Sequence, residues 1–125
     1  MALYKIGVTE AGDAGVDLSW EEKLDDVDAA VLITKCVSPD FFDATLRHKD
    51  KLIIHTTVTG YGHSILEPNV PTLYEEFTAI MELVKAGFPM SRIVVRVDPI
   101  IPTEKGLSVA YHTLTSFMEM GFQRY

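Results

Sequence analysis

Residues 29–59, AAVLITKCVSPDFFDATLRHKDKLIIHTTVT, decide the fold class because they contain one strand–helix–strand unit. Ala29–Thr34 is a short apolar run, which is typical of a strand covered on both faces. Ser38 and Pro39 predict a helix start, since serine caps helices and proline suits their first position. Leu52–Thr59 is the next predicted strand. Units of this kind predict parallel strands with right-handed crossovers.

The same alternation extends in both directions from this unit. Leu3–Val8 predicts a strand, and Ser19-Trp20-Glu21-Glu22 matches a capping box at the start of a short helix. Thr72-Leu73-Tyr74-Glu75 is a second capping box, followed by apolar residues at helical spacing. Ile93–Val97 predicts the fourth strand, and a last helix carries Leu107 on its apolar side. The predicted class is α/β with a parallel sheet, either open and doubly wound or part of a barrel.

Polar side chains on two strands favour the barrel. Because side chains alternate along a strand, His55, Thr57 and Thr59 share one face of the third strand. Arg96 and Asp98 share one face of the fourth. If the apolar faces meet the helices, these polar faces point into an interior such as a barrel lumen. We therefore predict a single domain that is a partial, TIM-like (β/α) barrel.

Composition argues against several classes of protein. The 125 residues have a formal net charge of -7, and an acidic surface repels phosphate backbones, so broad nucleic-acid binding is not expected. The single cysteine, Cys36, cannot form an internal disulfide or by itself hold zinc or an iron–sulfur cluster. The sequence has neither a secretory h-region nor an apolar run of about 20 residues. These features predict a cytoplasmic protein without membrane contact.

The polar strand ends are the predicted functional surface, because parallel α/β sheets bind ligands at the carboxyl ends of their strands. Arg96 could grip a carboxylate or phosphate, or it could form a structural pair with Asp98 or Glu67. Asp98 could instead be only a turn residue before a proline. Lys35 could carry charge into the site or remain solvated. We predict a small-molecule ligand at this end of the sheet.

Histidines and carboxylates allow a different chemistry. His55 could be a base, a ligand or a hydrogen-bonded core residue. Together with His63, Glu67 and Asp98 it could hold a divalent metal. The segment Thr59-Gly60-Tyr61-Gly62 could form a backbone nest for an anion, or it could be a tight turn.

Several motifs in a fixed order resemble a known family. His55–Gly62, Glu67–Pro71 and Arg96–Ile100 resemble segments of the DUF1848 proteins and, more loosely, of the spore photoproduct lyase branch of the radical SAM enzymes. Ile33-Thr34-Lys35 resembles the Thr-Lys strand end that precedes them. Ile6–Trp20 lies where that family has its N-terminal strand and loop.

The resemblance implies a partial (β/α) barrel that binds S-adenosylmethionine and a [4Fe–4S] cluster. Radical SAM proteins hold the cluster with three clustered cysteines, which the resemblance places beyond the end of this chain. Residues 1–125 are therefore interpreted as the N-terminal half of such a barrel, inactive alone. By position, the resemblance makes six residues candidates for cofactor binding: Lys35, Thr57, Thr59, Glu67, Arg96 and Asp98.

Three functions remain open at this point, and the sequence assigns no catalytic residue. The leading hypothesis is the radical-SAM-like barrel fragment. The second is a cluster-free, metal-dependent (β/α)-barrel enzyme. The third is a non-enzymatic module that binds a partner or itself. Unpaired edge strands and uncovered apolar surface in a partial barrel predict that the chain forms a homo-oligomer.

Overall fold

The structure, a computed structural model, describes residues 3–9 and 12–125. Residues 10 and 11, in the loop expected after the first strand, lie outside the described residues. Strands and helices alternate along the chain, which confirms the α/β class. The strands are β1 (Ile6–Val8), β2 (Ala29–Thr34), β3 (Leu52–Val58) and β4 (Ile93–Val97); the α-helices are α1 (Pro39–Arg47), α2 (Leu73–Lys85) and α3 (Glu104–Met118); and the 3-10 helices are Ser19–Asp26, Lys49–Lys51 and Met90–Arg92.

The four strands form one parallel sheet in the order β1-β2-β3-β4. A doubly wound sheet reverses its strand order at a switch point, and the described strands contain no such reversal. The parallel sheet is therefore confirmed, while closure into a TIM-like barrel stays a prediction. The first strand is shorter than the predicted Leu3–Val8, because only Ile6–Val8 pairs with β2.

The hydrophobic core lies on one face of this sheet. Leu32, Ile54 and Ile93 stand side by side in the pairing register and have no exposed surface. Each α-helix adds a fully buried aromatic or aliphatic side chain to the same cluster. The helices thus cover a single face, and their contributions to the core include Phe41, Ala44, Ile80, Leu83 and Phe117.

Local capping explains where most of the helices begin. Ser38 accepts a hydrogen bond from the Phe41 amide at 3.2 Å, and Thr72 with Glu75 forms the predicted capping box. The capping box predicted at Ser19 is wrong, because Leu18 is the N-cap and makes no side-chain bond. The Ser19 amide instead donates to the Asp17 carboxylate at 2.9 Å, an Asx turn that occupies the donor which a capping box would use.

None of the helices in the described residues covers the opposite face of the sheet. Val31, Ile33 and Ile53 are half-buried there, and Arg96 is exposed. We call this surface the open face. Among the residues that the structure describes, no helix combines the length and the hydropathy needed to cross a bilayer.

Candidate functional site

The loop after β1 is fixed over the carboxyl end of β2 by one carboxylate. Asp13 accepts hydrogen bonds from the Thr34 hydroxyl at 2.6 Å and from the Gly15 and Lys35 amides at 2.7 Å each. Gly15 packs so closely that an added Cβ would lie 1.9 Å from the Cys36 carbonyl oxygen. Asp13 was not among the predicted site residues, and its only sequence signal is the short Asp-Ala-Gly turn.

Lys35 and Glu67 pair with each other at this end of the sheet. The Lys35 Nζ lies 2.8 Å from the Glu67 Oε1, and 43% of the lysine side chain remains exposed. The structure therefore brings these two predicted residues together. The pairing occupies Glu67, so Glu67 is not the partner of Arg96.

Arg96 lies on the open face beside two other polar residues. It pairs in register with Thr57, whose neighbour on that face, His55, pairs with Val94. Burial lowers the pKa of His55, and the positive charge of Arg96 lowers it further, so the imidazole is neutral near pH 7. Across residues 3–9 and 12–125, the Arg96 side chain makes no hydrogen bond and no ion pair.

The other two predicted site residues differ in their surroundings. Thr59 is only 2% exposed, and its hydroxyl oxygen accepts a hydrogen bond from the Tyr61 amide, which closes a local turn. Asp98 is exposed and precedes a cis peptide bond to Pro99. Since the Tyr61 amide already has an acceptor, the segment behaves as the tight turn rather than as an anion nest.

Gly60 in that turn allows the loop to pack against α3. Its φ is +75°, and an added Cβ would lie 2.6 Å from Val109 and 2.9 Å from Thr113. A cleft of about 630 Å³ opens beside this contact, between the loop, α2 and α3. The cleft lies on the helix side, away from the open face.

Glu76 is a buried carboxyl that the sequence analysis missed. It is 2% exposed and accepts hydrogen bonds from the Thr56 hydroxyl at 2.9 Å and from the Val37 amide at 3.3 Å. Burial raises its pKa to about 7, against the effect of both hydrogen bonds. Its signal was a glutamate on the apolar side of α2, three residues after Leu73 and four before Ile80.

The metal hypothesis requires four side chains that the structure does not group together. His63 lies 3.4 Å from Glu75, whereas Glu67 pairs with Lys35. The described residues contain no cluster of three His, Cys, Asp or Glu side chains placed to hold a metal ion.

Cys36 does not fit a [4Fe–4S] cluster, which takes three cysteines in the radical SAM enzymes, because it is the only cysteine of the sequence. Burial raises the pKa of its thiol, and the nearby carboxylates of Glu76 and Asp13 raise it further. A thiolate, the form that ligates iron, is therefore disfavoured at this position.

Comparison with known proteins places the chain in a family. No curated protein and no solved structure matches it. The family described as Domain of unknown function (DUF1848) matches residues 16–123, which is most of the sequence. The chain therefore belongs to the DUF1848 family.

Proposed function

We propose that the open face binds an anionic small molecule at the carboxyl ends of β3 and β4, and that Arg96 is the residue that engages its carboxylate. The observation that carries the proposal is the Arg96 guanidinium, which has no ion-pair partner among the described residues and lies on a sheet face beside Thr57 in the strand register. A guanidinium binds a carboxylate through two parallel hydrogen bonds. The carboxyl ends of parallel strands are also where such sheets bind ligands.

The electrostatics of the neighbouring residues support an anion rather than a cation. The neutral His55 adds no second charge and can donate or accept one hydrogen bond. Lys35 lies at the end of β2 and is neutralised by Glu67. The Arg96 guanidinium, with the neutral His55 imidazole beside it, suits the carboxylate of an amino-acid-like group, although Asp98 on the same face offsets part of its charge.

S-adenosylmethionine is the specific ligand that we infer from the resemblance to radical SAM proteins, and a partial (β/α) barrel is the architecture that this resemblance implies. Its methionine carboxylate would meet Arg96. The chain's own residues do not fit the [4Fe–4S] cluster, so the proposal contains binding of the ligand and no radical step.

Calorimetric titration with S-adenosylmethionine tests the proposal. Wild-type protein is expected to bind, and Arg96→Gln is expected to weaken binding by about tenfold, the effect of losing one charge-assisted contact of about 1.4 kcal/mol. Arg47→Gln is the matched control, because Arg47 pairs with Glu21 far along the chain from this site. Binding by Arg47→Gln is expected to equal that of wild type.

A ligand without a carboxylate identifies the atoms that Arg96 contacts. 5′-Methylthioadenosine keeps the nucleoside and lacks the amino-acid group. Its affinity is expected to be the same for wild type and for Arg96→Gln. Absence of S-adenosylmethionine binding to folded wild-type protein would overturn the choice of ligand, and equal losses for both ligands would overturn the role of Arg96.

A further inference from the structure

The open face carries a continuous apolar surface away from the polar strand ends. Ile6 and Val8 of β1 are 55% and 50% exposed, and they adjoin half-buried aliphatic residues on the other three strands. Register pairs Val8 with Val31 and Val31 with Ile53, so the surface crosses the sheet. Contiguous exposed apolar surface of this kind marks an interaction site.

The sheet has two outer edges, one at β1 and one at β4. Among the described strands, β1 has a strand neighbour only in β2, and β4 only in β3. The outer edge of β4 already makes one backbone hydrogen bond with the C-terminal segment, because the Val95 amide donates to the Arg124 carbonyl at 2.9 Å. By the two-residue period of a strand, the Val97 amide points to the same edge.

A groove beside β4 has the shape that an added strand would fill. It measures about 690 Å³ and lies between β4 and the side of α3 that faces away from the core. Leu107, Tyr111 and Leu114 follow one another at helical spacing along this side, and Leu107 and Tyr111 are 57% and 71% exposed. α3 therefore has a second apolar stripe that the described part of the chain leaves uncovered.

The charges near the two edges favour contact between unlike edges of two copies. The connection from β1 to β2, residues 12–28, has seven acidic residues against one lysine, a balance of -6. Residues 92–125, which contain β4 and α3, have four basic residues against three acidic ones, a balance of +1. Two β1 edges would repel each other strongly, whereas the β1 edge and the β4 edge are compatible.

We propose that the β4–α3 edge of one copy of this chain binds the β1 edge of a second copy, and that a two-fold axis parallel to the strands repeats the contact. All strands then run in the same direction, and the eight strands of two copies close on each other with both open faces inside. Eight parallel strands are the number that a (β/α) barrel closes with. A carbonyl of the partner's β1 replaces the Arg124 carbonyl as the acceptor for the Val95 amide. The same strand fills the groove beside Leu107 and Tyr111.

Sedimentation velocity over a wide range of protein concentration tests the proposal. Wild-type protein is expected to be a dimer that dissociates on dilution. Val8→Lys places a charge on the face that closure buries, and it is expected to raise the dissociation constant at least about tenfold. Tyr74→Lys is the matched control, because Tyr74 is 77% exposed on α2 and lies outside the proposed contact. A wild-type monomer at every concentration, or equal effects of the two variants, would overturn the proposal.

Disulfide trapping tests which edges meet and does not depend on tolerance of a buried charge. In a Cys36→Ser background, Ile6→Cys marks β1 and Val94→Cys marks β4, both on the open face. An oxidised equimolar mixture is expected to give the mixed disulfide in excess over either homodisulfide. Predominant homodisulfides would overturn the pairing of unlike edges. Neither measurement uses a ligand, so its failure is distinct from failure of S-adenosylmethionine binding.

Discussion

The two faces of the sheet are made from the same strands, but they differ in burial, polarity and charge. On the helix-covered face, Ile54 and Val95 have no exposed surface and belong to the core cluster. On the open face, the next residues along the same strands are His55 and Arg96, one half-buried and one exposed. A shift of one residue along a strand therefore separates a packed core from a surface that holds a charge without an ion-pair partner among the described residues.

This difference indicates which face stabilises the fold and which face is available for binding. Buried polar groups on the covered face are all satisfied, and in the described residues no buried side-chain nitrogen or oxygen lacks a partner. The open face instead exposes both apolar surface and a guanidinium that pairs with no carboxylate of the described residues. Stability should thus depend on the covered face, and binding on the open face.

Truncation of neighbouring isoleucines is the strongest way to break this comparison. Ile54→Ala on the covered face is expected to lower the free energy of unfolding by about 4 kcal/mol, because it leaves a cavity in a closed core. Ile53→Ala on the open face is expected to lower it by about 1 kcal/mol. Urea unfolding at one fixed protein concentration measures both. If Ile54→Ala does not fold, Ile54→Val gives the same comparison at smaller amplitude; equal losses at the two positions would contradict the assignment of faces.

Glu76 on the covered face makes the stability of the folded protein depend on pH, and the sign of this dependence can be predicted. Burial raises the pKa of Glu76 from its ordinary value of 4.5 to about 7 in the folded protein, so the folded state holds this proton over a range where the unfolded state has lost it. Its contribution to stability is complete below pH 4.5, and it declines by about 3 kcal/mol as the pH rises through 7. Glu76→Gln is expected to remove this decline and to stabilise the protein at pH 8.

The control for Glu76 is its neighbour in the sequence. Glu75 accepts a hydrogen bond from the Thr72 amide, which lowers its pKa, and it lies at the exposed start of α2. Glu75→Gln keeps a capping residue at that position and is expected to leave the decline between pH 4.5 and 7 unchanged. Thermal unfolding of both variants across this range measures the difference, and a decline that persists in Glu76→Gln would assign it to another group.

The sequence was sufficient for the covered face, because that face follows simple periodicities. Alternation placed Ile54 and Val58 on the face that meets the helices, and both belong to the core cluster, whereas Ile53 and His55 on either side of Ile54 are only half-buried. Apolar runs and two caps located β2, α1, α2 and β4 within a residue or two. The cap at Ser19 could not be predicted in the same way, since the choice between Ser19 and Asp17 depends on a turn geometry that both residues permit.

The candidate site was less predictable, because side-chain partners across loops have no periodicity. Sequence order brought Lys35, Glu67 and Arg96 to one end of the sheet but did not show that Lys35 and Glu67 pair. Asp13 accepts a hydrogen bond from Thr34, which is 21 residues further along the chain, so no local motif reveals this contact. Whether the six predicted residues bind a cofactor stays a prediction.

Isosteric changes at neighbouring valines test the comparison at the smallest scale. Val95→Thr places a hydroxyl in the closed core and is expected to lower the free energy of unfolding by about 2 kcal/mol. Val94→Thr places it on the open face, where the expected change is within about 0.5 kcal/mol because water can reach the hydroxyl. Chemical unfolding of dilute protein measures both values.

Protein concentration then separates the isolated chain from the proposed dimer. If two copies close on each other, the hydroxyl of Val94→Thr becomes buried in the assembly and its cost appears only where the dimer forms. Dilute Val94→Thr should therefore match dilute wild type, whereas concentrated Val94→Thr should unfold earlier than concentrated wild type. Val95→Thr should show the same loss at every concentration, because helices cover that side chain in one copy alone. A loss at Val94 that is already present in dilute protein would mean that the open face is covered within the single chain.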